Sequence, residues 1–379
     1  RPISVTNADN RILMYVVVQA ITPALFATLH PAQKGFVWGR TFEDHIRWLN
    51  ERFYSIAESK GVDVGNFFIL FMDTAKAFDS IDHDFIHEAV RRSGLPPWFG
   101  AIVHGILHGC KVKPAFPGAA PLWIDIRRGV KQGCPLSPLL FIICYDILLH
   151  RLSALPDVEP AACADDIALE TVSLPSLWPA LRLVDTFRLA SGLGVNTDKT
   201  NIISAKDFDF EPHWADSPWP NIRTPKSARY LGILFGRDVT TSDVFKAPLD
   251  SLVTRATSYI SVFKTLSHPK RVLAFNVFIT TKLSYHTRFF HLPYTTRRLD
   301  GAQGIVEAWA CRLIIRFGSA YKYVFLISPP SLVGPGPPLR DAWALSMAAL
   351  ACQSDLSLWD GDTVASWPGG PEDPSSMRI

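Results

Sequence analysis

Apolar residues fall along this chain in runs of two kinds, short ones bounded by an acid or a turn and longer ones broken by polar residues. The clearest short run, NFFILFMD from Asn66 to Asp73, predicts a buried strand with a charge at its C-terminal end. Asp84 to Arg92 predicts a helix, ended by Gly94 with Pro96 and Pro97 beyond. Gly129 to Leu152 reads as a loop feeding a helix, with Ser137 as N-cap and Pro138 at the first helical position. That helix is apolar on most sides and is expected to be central. Ile12 to Leu29 approaches the length of a membrane span, but Gln19, Thr22, Pro23 and Thr28 interrupt it. It predicts a buried helix bent or ended by Pro23, with no membrane partner.

In ACADDIALE, two aspartates, Asp165 and Asp166, interrupt apolar neighbours. A hairpin turn between two short apolar runs explains them, and so does a pair of carboxylates compensated by a cation; the two readings are compatible. Further on, Phe208 to Pro220 reads as a loop and RYLGILFG, Arg229 to Gly236, as another strand. After about Arg237 the pattern turns helical and basic, which predicts a domain boundary. Ser328 to Pro338 reads as a Pro/Gly linker, and the tail from Trp367 as disordered.

Composition narrows the class. A chain of 379 residues with 48% hydrophobic and 19% charged residues is a folded protein of two or three domains. Its six cysteines form no C-x-x-C pair, which speaks against a zinc ribbon or a disulfide scaffold and for a reducing compartment. The chain starts with Arg1 and shows no signal peptide, as expected of a fragment or a processed piece. The net charge of +3 hides an uneven distribution: residues 222–340 hold 17 Lys and Arg against 5 Asp and Glu, and the remainder is net acidic. A basic region following an acidic one suits a polyanion held by one part and worked on by the other. His83 with His87 and His104 with His108 are spaced four apart, yet no third ligand or H-E-x-x-H accompanies them, and they read as solvated or capping residues. No P-loop occurs.

The acids gather in two places, Asp73 with Asp79, Asp82 and Asp84, and Asp165 with Asp166. A strand end and a hairpin tip on neighbouring strands would bring Asp73 and Asp165 together. Two such carboxylates with coordination positions left open are what Mg²⁺ needs for phosphoryl transfer, and two ions about 4 Å apart would clamp the attacking and leaving oxygens.

FMDTAKAFDSIDH, GVKQGCPLSPLLF and ADD, followed by SGLGVNTDKT and YLGILFG, together resemble the core motifs of the reverse transcriptase of non-LTR (LINE-type) retrotransposons. RPISVTNADNRIL and QKGFVWGR resemble that family's fingers motifs. The resemblance covers about residues 1 to 240, with a thumb-like continuation. It implies an α+β right-hand polymerase, with fingers, a palm built on an antiparallel sheet, and a helical thumb. The division expected is 1–236 for fingers and palm, 237–327 for the basic thumb-like region, and 328–379 for linker, short helix and tail.

The implied activity is RNA-directed DNA polymerisation, a primer 3′-OH being extended with dNTPs on an RNA template by two-metal phosphoryl transfer. Carried over by motif, Asp73 matches the first catalytic aspartate and Asp165 and Asp166 the pair on the palm hairpin, all three as ligands of two Mg²⁺ ions, with Mn²⁺ as the alternative. Phe78 sits where the family places an aromatic gate against a ribose 2′-OH. Gln132 and Gly133 match the loop that contacts the incoming nucleotide and template. Lys199 matches a lysine that neutralises departing pyrophosphate, and Arg11 falls near a basic residue that meets the triphosphate. Tyr230, Leu231 and Gly232 resemble the primer grip. Asp79 is assigned structural hydrogen bonding, and Cys163 stands where the family carries Tyr or Phe. In the basic region, Tyr259, Phe263, Phe275, Phe278 and Tyr285 are assigned to packing and the charges to nucleic acid. Two alternatives stay open, a catalytically inactive remnant that binds nucleic acid and an RNA-dependent RNA polymerase, against which Phe78 argues. No RNase H or endonuclease signature is evident, and localisation is undetermined, intracellular by resemblance.

Overall fold

A computed structural model describes residues 7–59, 66–112, 122–219 and 222–292, with 305, 306 and 309. The chain divides into two compact units, Arg1–Asp238 and Val239–Ile379. The Pro/Gly linker and the tail expected from the sequence lie outside the described residues.

The first unit opens with α1 (Ala8–Thr28) and α2 (Glu43–Glu58), and then β1 (Phe68–Ala75) leads through α3 (Ala77–Ser80) into α4 (His83–Arg92) and α5 (Pro97–Leu107). A two-stranded ribbon, β2 (Lys111–Val112) with β3 (Ile124–Asp125), precedes α6 (Ser137–Ser153). The hairpin β4 (Glu159–Cys163) and β5 (Asp166–Thr171) follows, then α7 (Leu177–Ser191), β6 (Gly194–Val195), β7 (Asn201–Ser204) and a second hairpin, β8 (Ser227–Tyr230) with β9 (Ile233–Gly236).

The main sheet runs β4-β5-β1, with β6 and β7 both on the far edge of β1 and every pairing antiparallel. Phe68 to Met72 are all buried because β1 is central and covered on both faces. Phe68, Leu70 and Met72 join the core with α4, α6 and α7, while Phe71 stacks on Tyr230 at 5.1 Å and lies 5.8 Å from Phe235. The two-residue alternation of a strand thus sends one set of side chains to the helices and the other to the β8–β9 hairpin.

The strand does not end at Asp73 but continues to Ala75, because β6 pairs with Thr74 and Ala75. α4 begins one residue early, at His83, with the Asp82 side chain accepting from Asp84 N–H as its cap. α6 is central as expected, with most of its residues buried. Ser137 is its first residue rather than its N-cap, since its hydroxyl is drawn back to donate to Lys131 O at 2.7 Å.

Other expectations are corrected. α1 is neither a buried helix nor one ended by Pro23. It runs through Pro23 to Thr28, burying only Met14, Ile21 and Leu25, while Ile12, Leu13, Tyr15 and Val16 are 58–63% exposed. Its apolar residues lie on the exposed as well as the buried side, so no stripe marks the covered face. α1 is also the one helix among the described residues long and apolar enough to cross a membrane. Arg229 to Gly236 is not one strand but most of a hairpin, because Leu231 (φ 47°) and Gly232 (φ 84°) take the left-handed pair of a tight two-residue turn. Within the loop Phe208 to Pro220, Glu211–Asp216 forms a short 3-10 turn.

In the second unit α8 (Thr241–Ser258) starts with a reciprocal cap between Thr240 and Asp243, and α9 (Ile260–Thr265), α10 (His268–Ala274) and α11 (Thr281–Ser284) follow. Phe245, Phe263, Phe275, Ile279 and Leu283 make its separate core. Phe263 and Phe275 are packing residues, and Tyr259 stacks on Phe278 at 5.8 Å.

Candidate active site

The antiparallel register of β1 and β5 sets Asp73 directly opposite Asp166. Opposed like charges on neighbouring strands repel, so this pairing calls for compensation. Lys199, in the turn after β6, supplies part of it, with Nζ 3.1 Å from Asp73 Oδ2. Asn196 N–H fixes the same segment by donating to Asp73 O at 2.8 Å. Lys199, matched by motif to pyrophosphate, therefore meets an aspartate of the site itself.

Asp165 lies in the turn between β4 and β5, after Ala164, whose φ of 59° is in the left-handed region. Thr74 Oγ1 donates to Asp165 O at 3.1 Å, and the buried Tyr145 hydroxyl is bonded to Thr74 Oγ1. Because the one Thr74 proton is engaged with Asp165, Tyr145 is the donor to Thr74. Burial and the nearby aspartates push the Tyr145 phenol well above its ordinary range, keeping that proton in place.

The other side of the turn is held by a residue that sequence reasoning did not single out. Gln33 is fully buried. Its Oε1 accepts from Ala164 N–H at 2.9 Å and Gly35 N–H at 2.8 Å, and its Nε2 donates to Ala164 O at 3.4 Å. A Cβ on Gly35 would fall 2.2 Å from Ala164 N, so only glycine permits this approach. Arg40 stitches the same segment together, donating to His30 O at 2.7 Å and Gln33 O at 3.0 Å. The QKGFVWGR stretch was visible as a motif, but nothing in its pattern ties Gln33 to a turn so distant in sequence.

Cys163, opposite Asp166 on β4, is half-buried, and burial followed by the charges of Asp166 and Asp165 pushes its thiol up to about 11. It is therefore a neutral thiol at physiological pH.

A second group lies beyond β1. Phe78 is half-buried, stacked on Phe141 at 4.7 Å and edge-on to Phe36 at 6.0 Å. Val130 N–H donates to Phe78 O and Gly129 N–H to Ile81 O, both at 2.7 Å, which lays the loop before α6 along this segment. Gly129 (φ 81°) permits the contact, since a Cβ there would meet the Asp79 backbone at 2.8 Å. Gln132 Nε2 donates to Asp79 Oδ1 at 3.1 Å, so Asp79 takes the structural part assigned to it, and Gly133 follows at φ 103°. Phe78, Gln132 and Gly133 are thus brought together.

Tyr230 is buried, donating to Ala161 O at 3.3 Å, and holds the Leu231–Gly232 turn against β4. Arg11 is not brought to these groups by any contact: it is exposed in the first turn of α1, and its side chain makes no ion pair with a described residue.

The carboxylates offer oxygen donors alone, the chemistry that suits a hard divalent cation. Among the described residues, no three His, Cys, Asp or Glu side chains already close on a common centre.

Fold and site together define a polymerase palm, an antiparallel sheet that presents acids from adjacent strands, with the loop leading into α6 held against the segment after β1. Residues 1–235 match the family described as "Reverse transcriptase (RNA-dependent DNA polymerase)". The chain belongs to the reverse transcriptase family, as a domain of the non-LTR retrotransposon type with the right-hand polymerase fold. It is 27% identical over 301 residues to "Transposon TX1 uncharacterized 149 kDa protein" of Xenopus laevis, covering 75% of this chain and 22% of that protein. To the Pol polyprotein of the type-1 retrotransposable element R2 of Popillia japonica it is 31% identical over 214 residues, 54% of this chain and 29% of the relative. The probable RNA-directed DNA polymerase from transposon X-element of Drosophila melanogaster is 26% identical over 242 residues, 61% and 25% respectively. The chain therefore spans 22–29% of the length of these relatives. Among solved structures it is similar to telomerase of Candida albicans with a TWJ fragment of telomeric RNA, at 13% identity and a TM-score of 0.46, over 96% of this chain and 54% of that one. Reverse transcriptases use divalent metal ions.

Proposed function

We propose that this chain carries RNA-directed DNA polymerase activity, extending a DNA primer 3′-OH with dNTPs on an RNA template. The observation that carries the reading is the register that sets Asp73 against Asp166, with Asp165 in the adjoining turn, inside the region matched to the family. Asp73, Asp165 and Asp166 would hold two Mg²⁺ ions, or Mn²⁺ in their place. Bound there, the metal lowers the pKa of the primer hydroxyl and stabilises charge on the phosphoryl group in flight.

The remaining assignments concern the chain's own groups. The Phe78 ring, braced by Phe141, closes the space a ribose 2′-OH would need. Gln132 and Gly133 meet the incoming nucleotide and template, Gly133 through its exposed backbone. Lys199, an ammonium already at the site, shifts from Asp73 to the pyrophosphate as it departs, and Arg11 meets the triphosphate. The Tyr230–Gly232 turn supports the primer. Residues 1–236 act as fingers and palm, and the basic region 237–327 as a thumb that tracks the template-primer backbone.

Primer extension on an RNA template with a DNA primer, dNTPs and Mg²⁺, beside Asp165→Asn, tests the reading. Extension by the parent that vanishes in the variant is expected. Salt-dependent template-primer binding with no extension by either protein would overturn it in favour of an inactive nucleic-acid-binding remnant, the reading that Cys163 at the family's aromatic position favours.

A further inference from the structure

The turn that carries Asp165 is held from outside its own hairpin on both sides. Ala162 exchanges backbone bonds with the segment before α2, its N–H donating to Ala32 O at 3.0 Å and its O accepting from Lys34 N–H at 2.9 Å. Gln33, between those two partners, grips both the N–H and the C=O of Ala164. Thr74 holds Asp165 O from β1. Left to itself, a non-glycine residue at φ 59° such as Ala164 sits in a conformation costing about 1–2 kcal/mol, and a buried N–H without an acceptor would add to the drive to relax.

We propose that Gln33 is a positioning residue of the polymerase centre: by bracketing Ala164 it fixes the direction in which Asp165 and Asp166 present their carboxylates beside Asp73. This rests on the polymerase reading. The amide is suited to the task because one oxygen serves two N–H donors while its nitrogen serves a carbonyl. Methionine would fill the same volume and serve none of them. Groups that orient a metal ligand without touching the metal typically matter about 10–100-fold in affinity or rate.

The test compares the parent, Gln33→Met and Asp165→Asn by Mn²⁺ binding in electron paramagnetic resonance titrations, by single-nucleotide extension and by thermal melting. Gln33→Met is expected to stay folded, to bind Mn²⁺ about tenfold more weakly, and to lose kcat by a similar factor, with dNTP KM and template-primer Kd within about twofold of the parent. Parental Mn²⁺ affinity and kcat in Gln33→Met, beside their loss in Asp165→Asn, would overturn the role of Gln33 and leave the polymerase reading standing. No Mn²⁺ binding by the parent would overturn both. Hydrogen exchange of the parent keeps the proposal open to refutation even where Gln33→Met fails to fold. The Ala164 amide should exchange as slowly as the ladder amides of β5, and exchange at the rate of an open turn would overturn the bracket.

Discussion

Replacing Glu170 by Gln is expected to flatten the dependence of stability on pH. Glu170 lies on β5 with its side chain 1% exposed, facing Ile69 on one neighbouring strand and Glu159 on the other. Arg52 Nη1 reaches Glu170 Oε1 at 3.0 Å and Glu159 Oε2 at 2.9 Å, so one guanidinium nitrogen is shared between two carboxyls, and Glu170 Oε2 has no hydrogen-bond partner. Burial first, then the neighbouring Glu159 carboxyl, outweighs Arg52 and raises the Glu170 carboxyl from its ordinary 4.5 to about 9.

The folded protein therefore holds a proton that the unfolded chain releases above about pH 4.5. Stability from this group is complete below that pH and is lost as pH rises toward about 9. The limiting slope is about 1.4 kcal/mol per pH unit, or about 4 kcal/mol between about pH 5 and about pH 8. Relaxation around a pair shared with a partly exposed Arg52 reduces this to about 2–3 kcal/mol. Gln keeps an oxygen for Arg52 and has no proton to lose. Urea unfolding of both proteins at about pH 5, 6, 7 and 8 should show the parent falling away from Glu170→Gln as pH rises. Parallel curves would refute the reasoning.

Two further outcomes follow from the site. Tyr145→Phe removes the donor to Thr74 Oγ1 and should cost about 1–2 kcal/mol in urea unfolding, while Thr74 keeps its bond to Asp165 O. Phe78→Ala should lower the preference for dNTP over rNTP about tenfold or more, read as the ratio of the two kcat/KM values in single-nucleotide extension, and an unchanged ratio would remove the gate from Phe78.

The central strand β1 and the tip of the β4–β5 hairpin were legible because acids interrupt apolar runs there, whereas β6 and β7 are too short to leave a pattern. Asp73 and Asp166 stand out in sequence, but the strands that make them neighbours are separated by α3 to α6, so their pairing is set by tertiary structure that no local pattern fixes. The end of α4 was legible from Gly94, a residue whose left-handed backbone stops a helix. What escaped were features that leave no periodic trace. The exposed side of α1 carries Ile12, Leu13, Tyr15 and Val16, so apolar residues alone do not mark its covered face. The hairpin at Leu231–Gly232 has arms so short that it reads as one strand, with Gly232 the sole punctuation. Gln33 is a lone amide in a loop, and its partner Ala164 is fixed by tertiary structure alone.

The placement of β1 between β5 and β7 also sets a schedule for making the protein. Phe68 pairs with Thr171 on one side and Ser204 on the other, so Phe68 to Met72 leave the ribosome about a hundred residues before either partner exists. At about 5–20 residues per second that is roughly 5–20 s during which the most apolar strand of the domain has both edges open. The pairing that later sets two carboxylates face to face thus makes birth of this chain a contest between waiting and clumping, one that slower translation would prolong and a holding chaperone would relieve.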